Sequence, residues 1–305
     1  MLYRRVVPAI AVLCAIGPGS FAQKAVPRAP VIRQVDHILV ESRDPKPLFD
    51  FFAETLLLPV AWPLAESAGF LSGGLGAGNV NLEFFRTPSR APASARKDAR
   101  ARYAGLAFEP YPLTGALREL EARGIPHDPP ESYASILPDG TRGAAYVTVA
   151  LSSFARPGMS IFLYEYSPAF LKVDVRRKQL GNRLTLNNGG PLGLQSVREI
   201  VVATSRYEED AAAWSKLLGK QTASGNWQPV GGPAIRLARD SGDGIRELVF
   251  KVASLDRAQV FLKKARLSGT VSAKRIFLDP AKIQGLRIQL VDGNLQNFTN
   301  AGGSH

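Results

Sequence analysis

The sequence repeats one pattern four times: an alternating strand, an amphipathic helix and further strand-like segments. The opening strands are predicted at 34–41, 103–108, 197–203 and 245–252, and apolar residues at helical spacing follow each of them. A polar, glycine-rich segment at 171–194 separates two pairs of repeats. We therefore predict an α+β fold of paired β-α-β-β-β units, with domains at 31–170 and 195–295, a linker at 171–194 and a flexible tail at 296–305.

The first unit shows this pattern most fully. Its opening strand alternates so that Val35, His37 and Leu39 are predicted on one face. Asp44 and the proline after it are typical of a helix start. A glycine-rich stretch at 69–78 leads into a closing strand that contains Glu83. That stretch lacks the Lys-Ser/Thr ending of a phosphate-binding loop and precedes a strand, which argues against nucleotide binding.

The N-terminus has the pattern of a cleaved secretory signal at 1–22. Arg4 and Arg5 precede an apolar run from Val6 to Ile16, and small residues stand before a cleavage position after Ala22. A membrane anchor is the alternative, but the run is shorter than the roughly 20 residues that a bilayer needs. No later segment is apolar enough to span a membrane. We expect an exported, periplasmic or extracellular protein.

The residue counts exclude several functional classes. One Cys, which the cleavage removes, and three His exclude cysteine-rich metal sites and make sites with several histidines hard to build. The formal net charge is +12, with basic clusters near 90–102 and 176–183 that suit either solubility or attraction of an anionic ligand or surface. Neither cluster has interleaved aromatic residues, so no nucleic-acid partner is expected. No GxSxG motif supports a serine nucleophile.

Several segments resemble one known superfamily. VDHILVESRD, GFLSGGLGAGNVNLEFF, PLTGALRELEARGI and SVREIVVA with AAAWSKLLG are similar to the vicinal oxygen chelate superfamily, and most similar to its glyoxalase-like domain proteins. The resemblance covers nearly all of the chain after the signal. It implies two domains in which paired units curl a mixed sheet into a cup flanked by helices, with four strand positions able to hold a divalent metal ion.

The resemblance places those four positions in the first domain at His37, Glu83, Gly105 and Glu165. Gly105 has no side chain to offer, so the implied ligands are His37, Glu83 and Glu165. One His with two carboxylates suits zinc, nickel, manganese or iron(II). The matching positions of the second domain are Glu199, either Arg236 or Ala238, Glu247 and Gln289.

The residue types alone leave alternatives open. His37 and Glu83 both lie mid-strand, and a buried carboxylate needs a partner or a cation, so the two could also simply hydrogen-bond each other. Glu165 could be a solvated edge acid. His127 is predicted in a surface loop and His305 at the frayed terminus. An extradiol dioxygenase, which uses two His and one Glu, is disfavoured because no second strand histidine is present.

Two functions follow as hypotheses. The first is a metal-dependent lyase or isomerase that acts on a small molecule with vicinal oxygens, with Glu83 and Glu165 as the catalytic carboxylates. The second is a non-catalytic binding protein, in which Phe70, Phe85 and Tyr166 contribute affinity. An accessory envelope protein is a third possibility. Four units in one chain can complete both cups, so a monomer is expected.

Overall fold

The computed structural model describes residues 29–67, 70–87 and 101–293. The predicted signal at 1–22, the predicted tail at 296–305 and the basic residues at 90–100 lie outside the described residues. No helix in the described ranges is both long and apolar enough to cross a membrane.

The first half forms an eight-stranded mixed sheet with the order β2-β3-β4-β1-β5-β8-β7-β6. Its strands are β1 (Ile32–Ser42), β2 (Val60–Ser67), β3 (Phe70–Gly76), β4 (Asn81–Arg86), β5 (Ala101–Pro110), β6 (Glu131–Ile136), β7 (Arg142–Ala150) and β8 (Ser160–Tyr166). The first and last strands of each unit pair in parallel, as β1 with β4 and β5 with β8. The antiparallel pairing of β1 with β5 joins the two units at the centre of the sheet.

The second half forms a six-stranded sheet with the order β10-β9-β11-β14-β13-β12. Its strands are β9 (Leu194–Thr204), β10 (Ala234–Arg239), β11 (Gly244–Val252), β12 (Ser268–Ser272), β13 (Arg275–Leu278) and β14 (Ile288–Asp292). The third unit departs from the predicted pattern, because β9 is joined to β10 without two intervening strands. Irregular backbone occupies most of 219–233 instead, with isolated bridges from Trp227 to Ile235 and from Gly231 to Gln34 of β1.

In the described part of the chain, five α-helices flank the sheets: α1 (Pro45–Asp50), α2 (Leu113–Ala122), α3 (Val173–Leu186), α4 (Tyr207–Leu218) and α5 (Leu255–Lys264). Helix α1 continues as a π-helical turn at Phe51–Thr55. The predicted face of Phe49, Phe52 and Leu56 is buried, as its spacing requires. Helix α3 lies inside the segment predicted as a linker, and it buries only Leu180 and Leu184.

One continuous apolar core runs through both halves. Trp214 of α4, in the second half, contacts the rings of Phe108 and Phe154 in the first half with centroids 6.3 and 5.3 Å apart. An Arg156–Asp210 ion pair lies across the same boundary. The predicted α+β architecture of two curled mixed sheets is confirmed, with the second sheet smaller than the first.

Candidate functional site

A β-bulge in β1 places two adjacent polar side chains in one cluster. The register between β1 and β5 shifts between Val35 and His37, which leaves Asp36 as the extra residue. Val35 and Ile38 belong to the apolar core, whereas Asp36 and His37 contact each other. The prediction that Val35 and His37 share a face is therefore wrong, because simple alternation fails at the bulge.

His37 lies between two carboxylates. Its Nδ1 is 2.7 Å from Asp36 Oδ2, and its Nε2 is 3.2 Å from Glu83 Oε2. Ser72 donates a hydrogen bond of 2.6 Å to Glu83 Oε1 and accepts one from Trp62 Nε1 at 3.2 Å. The structure thus brings together the predicted pair His37 and Glu83, and the neighbouring side chains fix the orientation of both.

The polar chain continues from Asp36 toward helix α3. Arg177 donates to Asp36 Oδ1 at 2.7 Å, and the Tyr166 hydroxyl donates to Asp36 Oδ2 at 3.3 Å. Arg177 also forms an ion pair with Glu109 at 3.4 Å, and Glu109 accepts a 2.9 Å hydrogen bond from Arg33. One network therefore connects β1, β5, β8 and α3.

Burial and charge act in opposite directions on the central pair. Burial alone would lower the pKa of His37, but the hydrogen bond to Asp36 and the negative charges of Glu83 and Asp36 raise it above its usual value. Burial alone would raise the pKa of Asp36, but the His37 hydrogen bond and the Arg177 charge lower it. Both shifts favour an imidazolium ion held against carboxylates. The pKa of Tyr166 is well above its usual value because of burial and the Asp36 charge.

Aromatic rings enclose His37, which is only 2% exposed. Trp62, Phe162 and Tyr164 present their rings edge-on, with centroids 6.4, 6.0 and 5.2 Å from the imidazole. Tyr164 stacks on Tyr146 at 4.6 Å, and Tyr146 stacks on Tyr133 at 5.0 Å. A row of aromatic rings therefore leads from the buried imidazole to the outer strand β6.

Strand register shows which residues of the second unit correspond to His37 and Glu83 of the first unit. The local two-fold axis between β1 and β5 passes through the Ile38–Leu106 pair, so His37 corresponds to Gly105. Glu83 lies opposite Leu39, and by the same symmetry Phe162 lies opposite Ala107. The fourth position is therefore Phe162. This corrects the placement of Glu165, which is three residues further along β8.

The structure places Glu165 outside the His37–Glu83 cluster. Successive side chains of a strand point to opposite faces, and Tyr164, its neighbour, contacts His37. Glu165 Oε1 instead accepts a 2.7 Å hydrogen bond from the backbone N–H of Leu113, the first residue of α2. A carboxylate at a helix N-terminus is stabilised by the exposed N–H groups and the helix dipole.

The first-domain residues do not fit the predicted metal centre. Two of the four positions have ligating side chains, and the other two are Gly105 and Phe162. Across the described ranges, no group of three or more His, Cys, Asp and Glu side chains is arranged to hold a metal ion. A side chain at Gly105 would also be crowded, because a Cβ there would lie 2.1 Å from the Ser160 carbonyl oxygen.

The second sheet has an ion pair where the first sheet has His37 and Glu83. A matching bulge at Arg198 precedes Glu199, and the register places Arg236 at the position of Glu83. This resolves the choice between Arg236 and Ala238. Arg236 Nε is 2.6 Å from Glu199 Oε1, and the remaining two positions are Glu247 and Gln289, as predicted.

A separate cleft of about 610 Å³ opens where the parallel strands β5 and β8 end. Its walls contain three tyrosines, Tyr111, Tyr146 and Tyr166, and the ionisable residues Arg33, Glu109 and Glu165. Glu165 and Tyr166 are the last two residues of β8, and both line the cleft. Of the three aromatic residues predicted to contribute affinity, Tyr166 lines this cleft, whereas Phe70 and Phe85 contact each other on β3 and β4.

Several members of the polar cluster were not predicted from the sequence. Asp36 immediately precedes His37, and a pair of adjacent polar residues inside an apolar strand is itself a signal of a bulge. Arg177 lies in the segment predicted as a linker, so no local pattern connects it with Asp36. Ser72 lies in the glycine-rich stretch, where its hydroxyl could not be distinguished from a turn residue.

Comparisons with known proteins support the fold. No family model and no curated protein sequence matches the chain. Among solved structures, a hypothetical protein from Staphylococcus aureus aligns with a TM-score of 0.56 and 9% identity over 85% of this chain and 99% of that one.

A variant of homoprotocatechuate 2,3-dioxygenase from Brevibacterium fuscum aligns with a TM-score of 0.55 and 14% identity over 92% of this chain and 75% of that one. The same dioxygenase in complex with 3,4-dihydroxyphenylacetate gives a TM-score of 0.55 and 13% identity, over 92% and 85%. At these identities the likeness concerns the fold alone. The chain has a fold of the vicinal oxygen chelate type, with two curled mixed sheets in tandem.

Proposed function

We propose that this chain is a small-molecule binding protein with a fold of the vicinal oxygen chelate type. The ligand site is the cleft at the ends of β5 and β8, and the cleft itself is the observation that supports the proposal. Its volume of about 610 Å³ is within the range of roughly 300–1,000 Å³ that small-molecule sites occupy. Its mixture of aromatic, aliphatic and a few ionisable side chains is typical of such sites.

The strand positions beside His37 favour binding over metal chemistry, because Gly105 and Phe162 offer no metal ligand there. The imidazole is 2% exposed, both of its nitrogens face carboxylates, and three aromatic side chains surround it. The polar cluster also orients one residue of the cleft. Tyr166 lines the cleft, and its hydroxyl donates a hydrogen bond to Asp36.

Blocking the cleft tests this proposal. Catechol, benzyl alcohol and choline serve as probes, with ligand-observed NMR as the measurement. We expect at least one probe to bind the full chain and Ala144→Trp, which fills the cleft wall, to weaken that binding at least tenfold. Ala122→Trp places the same ring on the exposed surface of α2 and is the matched control. Binding of no probe, or equal binding to both variants, would overturn the proposal.

One observation favours a second candidate, a metal-dependent lyase or isomerase of the glyoxalase-like kind. A histidine that ligates a metal usually holds its other ring nitrogen against a carboxylate, as His37 does with Asp36. Elemental analysis of the full chain and of His37→Ala tests this candidate. About one equivalent of metal, lost in the variant, would favour it over simple binding. No metal in either protein after incubation with zinc, nickel, manganese and iron(II) would count against it.

We also propose that the protein is exported and acts as a monomer. The support is the signal pattern at 1–22 and the presence of four units in one chain. Intact mass of the protein recovered outside the cytoplasm should correspond to a chain that begins at Gln23. Light scattering should give the mass of one chain.

A further inference from the structure

Helix α3 carries an excess of positive charge that the protein does not neutralise. The sequence has no Asp or Glu at 175–198, and the one acid of the helix, Asp174, is paired with Arg33 at 2.6 Å. Arg177 is directed inward, where it pairs with Asp36. Within the described residues, no acidic side chain forms an ion pair with the four other cations of this segment, Lys172, Arg176, Lys178 and Arg183.

The geometry of the helix orders these cations around one solvent-facing stripe. Leu180 and Leu184 are buried, and a turn of 100° per residue places Leu186 on the side opposite Leu184. Exposed residues at i, i+4, i+7 and i+11 form the stripe, Val175, Gln179, Asn182 and Leu186. The cations flank it, with Lys172, Arg176 and Arg183 along one side and Lys178 along the other.

Both ends of this stripe are apolar side chains exposed to water. Val175 is 51% exposed and Leu186 is 81% exposed, and three helical turns place them about 16 Å apart. An uncharged stripe with apolar side chains, flanked by Lys and Arg, is typical of helices that lie on a membrane surface. The 14 residues of α3 extend over about 21 Å, less than the roughly 30 Å of a bilayer core, so such a helix lies along the surface and does not cross it.

Arg176 shows what the crowding of like charges costs. Its side chain is half-buried, and burial together with the charge of Arg183 lowers its pKa below the usual value. The charged form of Arg176 is therefore disfavoured in the protein alone. An anion beside the helix would stabilise that charge.

We infer that α3 docks the protein on the surface of an anionic phospholipid bilayer, with its four unpaired cations against lipid phosphates and its two apolar ends among the headgroups. Each Lys or Arg near such a surface strengthens binding about fivefold. A polyanion such as nucleic acid would engage the cations alone and would leave Val175 and Leu186 in water, so the bilayer suits the stripe better.

Sedimentation of the full chain with lipid vesicles tests this inference. One set of vesicles is pure phosphatidylcholine, and the other contains equal parts of phosphatidylcholine and phosphatidylglycerol. We expect a partition coefficient at least tenfold higher on the anionic vesicles, and a decrease as the salt concentration rises, because salt screens charges on exposed surfaces.

Matched charge variants assign the attraction to α3. Lys178→Gln combined with Arg183→Gln should lower the partition coefficient on anionic vesicles at least tenfold. Lys263→Gln combined with Lys264→Gln removes the same charge from exposed positions of α5 and should lower it less than threefold. Equal binding to the two kinds of vesicle, or equal losses in the two double variants, would overturn the inference.

A second pair of variants separates a bilayer from a soluble polyanion. Leu186→Ser keeps every charge and should weaken binding to anionic vesicles at least threefold, whereas Val260→Ser, at a 70% exposed position of α5, should not change it. Full binding by Leu186→Ser, together with binding of duplex DNA that the α3 charge variant loses, would assign the surface to a polyanion and overturn the inference.

Discussion

Single residues decide whether the first sheet can hold a metal ion, and Gly105 is the clearest case. Its strand approaches β8 so closely that a Cβ at this position would lie 2.1 Å from a backbone oxygen. The close contact between β5 and β8 therefore requires glycine at position 105. The same glycine removes one of the four possible metal ligands. Phe162, which occupies the other non-ligating position of the four, places its ring against His37.

Restoring the missing histidine should therefore fail. We expect Gly105→His to lower the free energy of unfolding by about 1–3 kcal/mol, the usual cost of overpacking, without creating a metal site. Gly115→Ala is the matched control, because nothing lies within 4 Å of a Cβ there and alanine suits the interior of α2. Urea unfolding and elemental analysis are the measurements. A stable Gly105→His protein with one equivalent of metal would contradict this account.

The charge on His37 should make stability depend on pH. Its raised pKa in the folded state means that its contribution is complete below its usual value of 6.5 and is lost as the pH rises through the folded pKa. The lowered pKa of Asp36 means that its contribution is present above 3.8 and is lost as the pH falls through the folded pKa. Stability from this pair should therefore be greatest between these values.

Urea unfolding of the wild type and of His37→Gln at pH 6 and pH 9 tests the direction. The wild type should lose more unfolding free energy than the variant over this interval, since glutamine cannot lose a proton. Equal losses in the two proteins would show that His37 is not charged in the folded state.

At the scale of elements, Glu165 connects the end of β8 to the start of α2. The side chain at the N-cap position, Pro112, makes no capping hydrogen bond, so the Glu165 carboxylate supplies the acceptor from a distant strand. We expect Glu165→Ala to destabilise the protein by about 1 kcal/mol, the usual cost of a lost helix cap. Glu165→Gln should cost less because it keeps an oxygen. Thermal unfolding measures both variants, and an equal loss in both would argue against the cap.

The same elements show what the sequence could predict and what it could not. His37 and Glu83 were predicted together because the resemblance to the vicinal oxygen chelate superfamily implies ligand positions on the first and last strands of a unit. The parallel pairing of β1 with β4 brings the two residues together. Glu165 was misplaced because the sequence shows an acid near the end of a strand but not its register. The buried residues Ile161 and Leu163 point to the same face of β8 as Glu165. Phe162 and Tyr164 point to the opposite face, where they contact His37.

Helix α3 was not predicted for a related reason. Only Leu180 and Leu184 are buried along its 14 residues, so its apolar periodicity is a single i, i+4 pair. Its role depends on long-range contacts, because Arg177 meets Asp36, which lies 141 positions away in the sequence. Such a contact leaves no local signal in the chain.

At the scale of the whole molecule, the two halves pack against each other through a shared apolar core. The apolar core is continuous between them, and Trp214 of the second half contacts Phe108 and Phe154 of the first. The Tyr103 hydroxyl also donates a 3.0 Å hydrogen bond to the Arg287 carbonyl oxygen. Domains joined by a small polar interface move independently, whereas an apolar interface of this kind couples their unfolding.

We therefore expect one cooperative thermal transition for the full chain, although multidomain chains often unfold in steps. Trp214→Ala should lower the melting temperature of the whole protein, because removing a buried tryptophan costs about 3–5 kcal/mol and exposes both halves of the core. Calorimetry measures the number of transitions, and Val260→Ala, at an exposed position on α5, is the control. Two transitions, of which the substitution moves only one, would show that the halves fold separately and that the shared tryptophan stabilises its own domain alone.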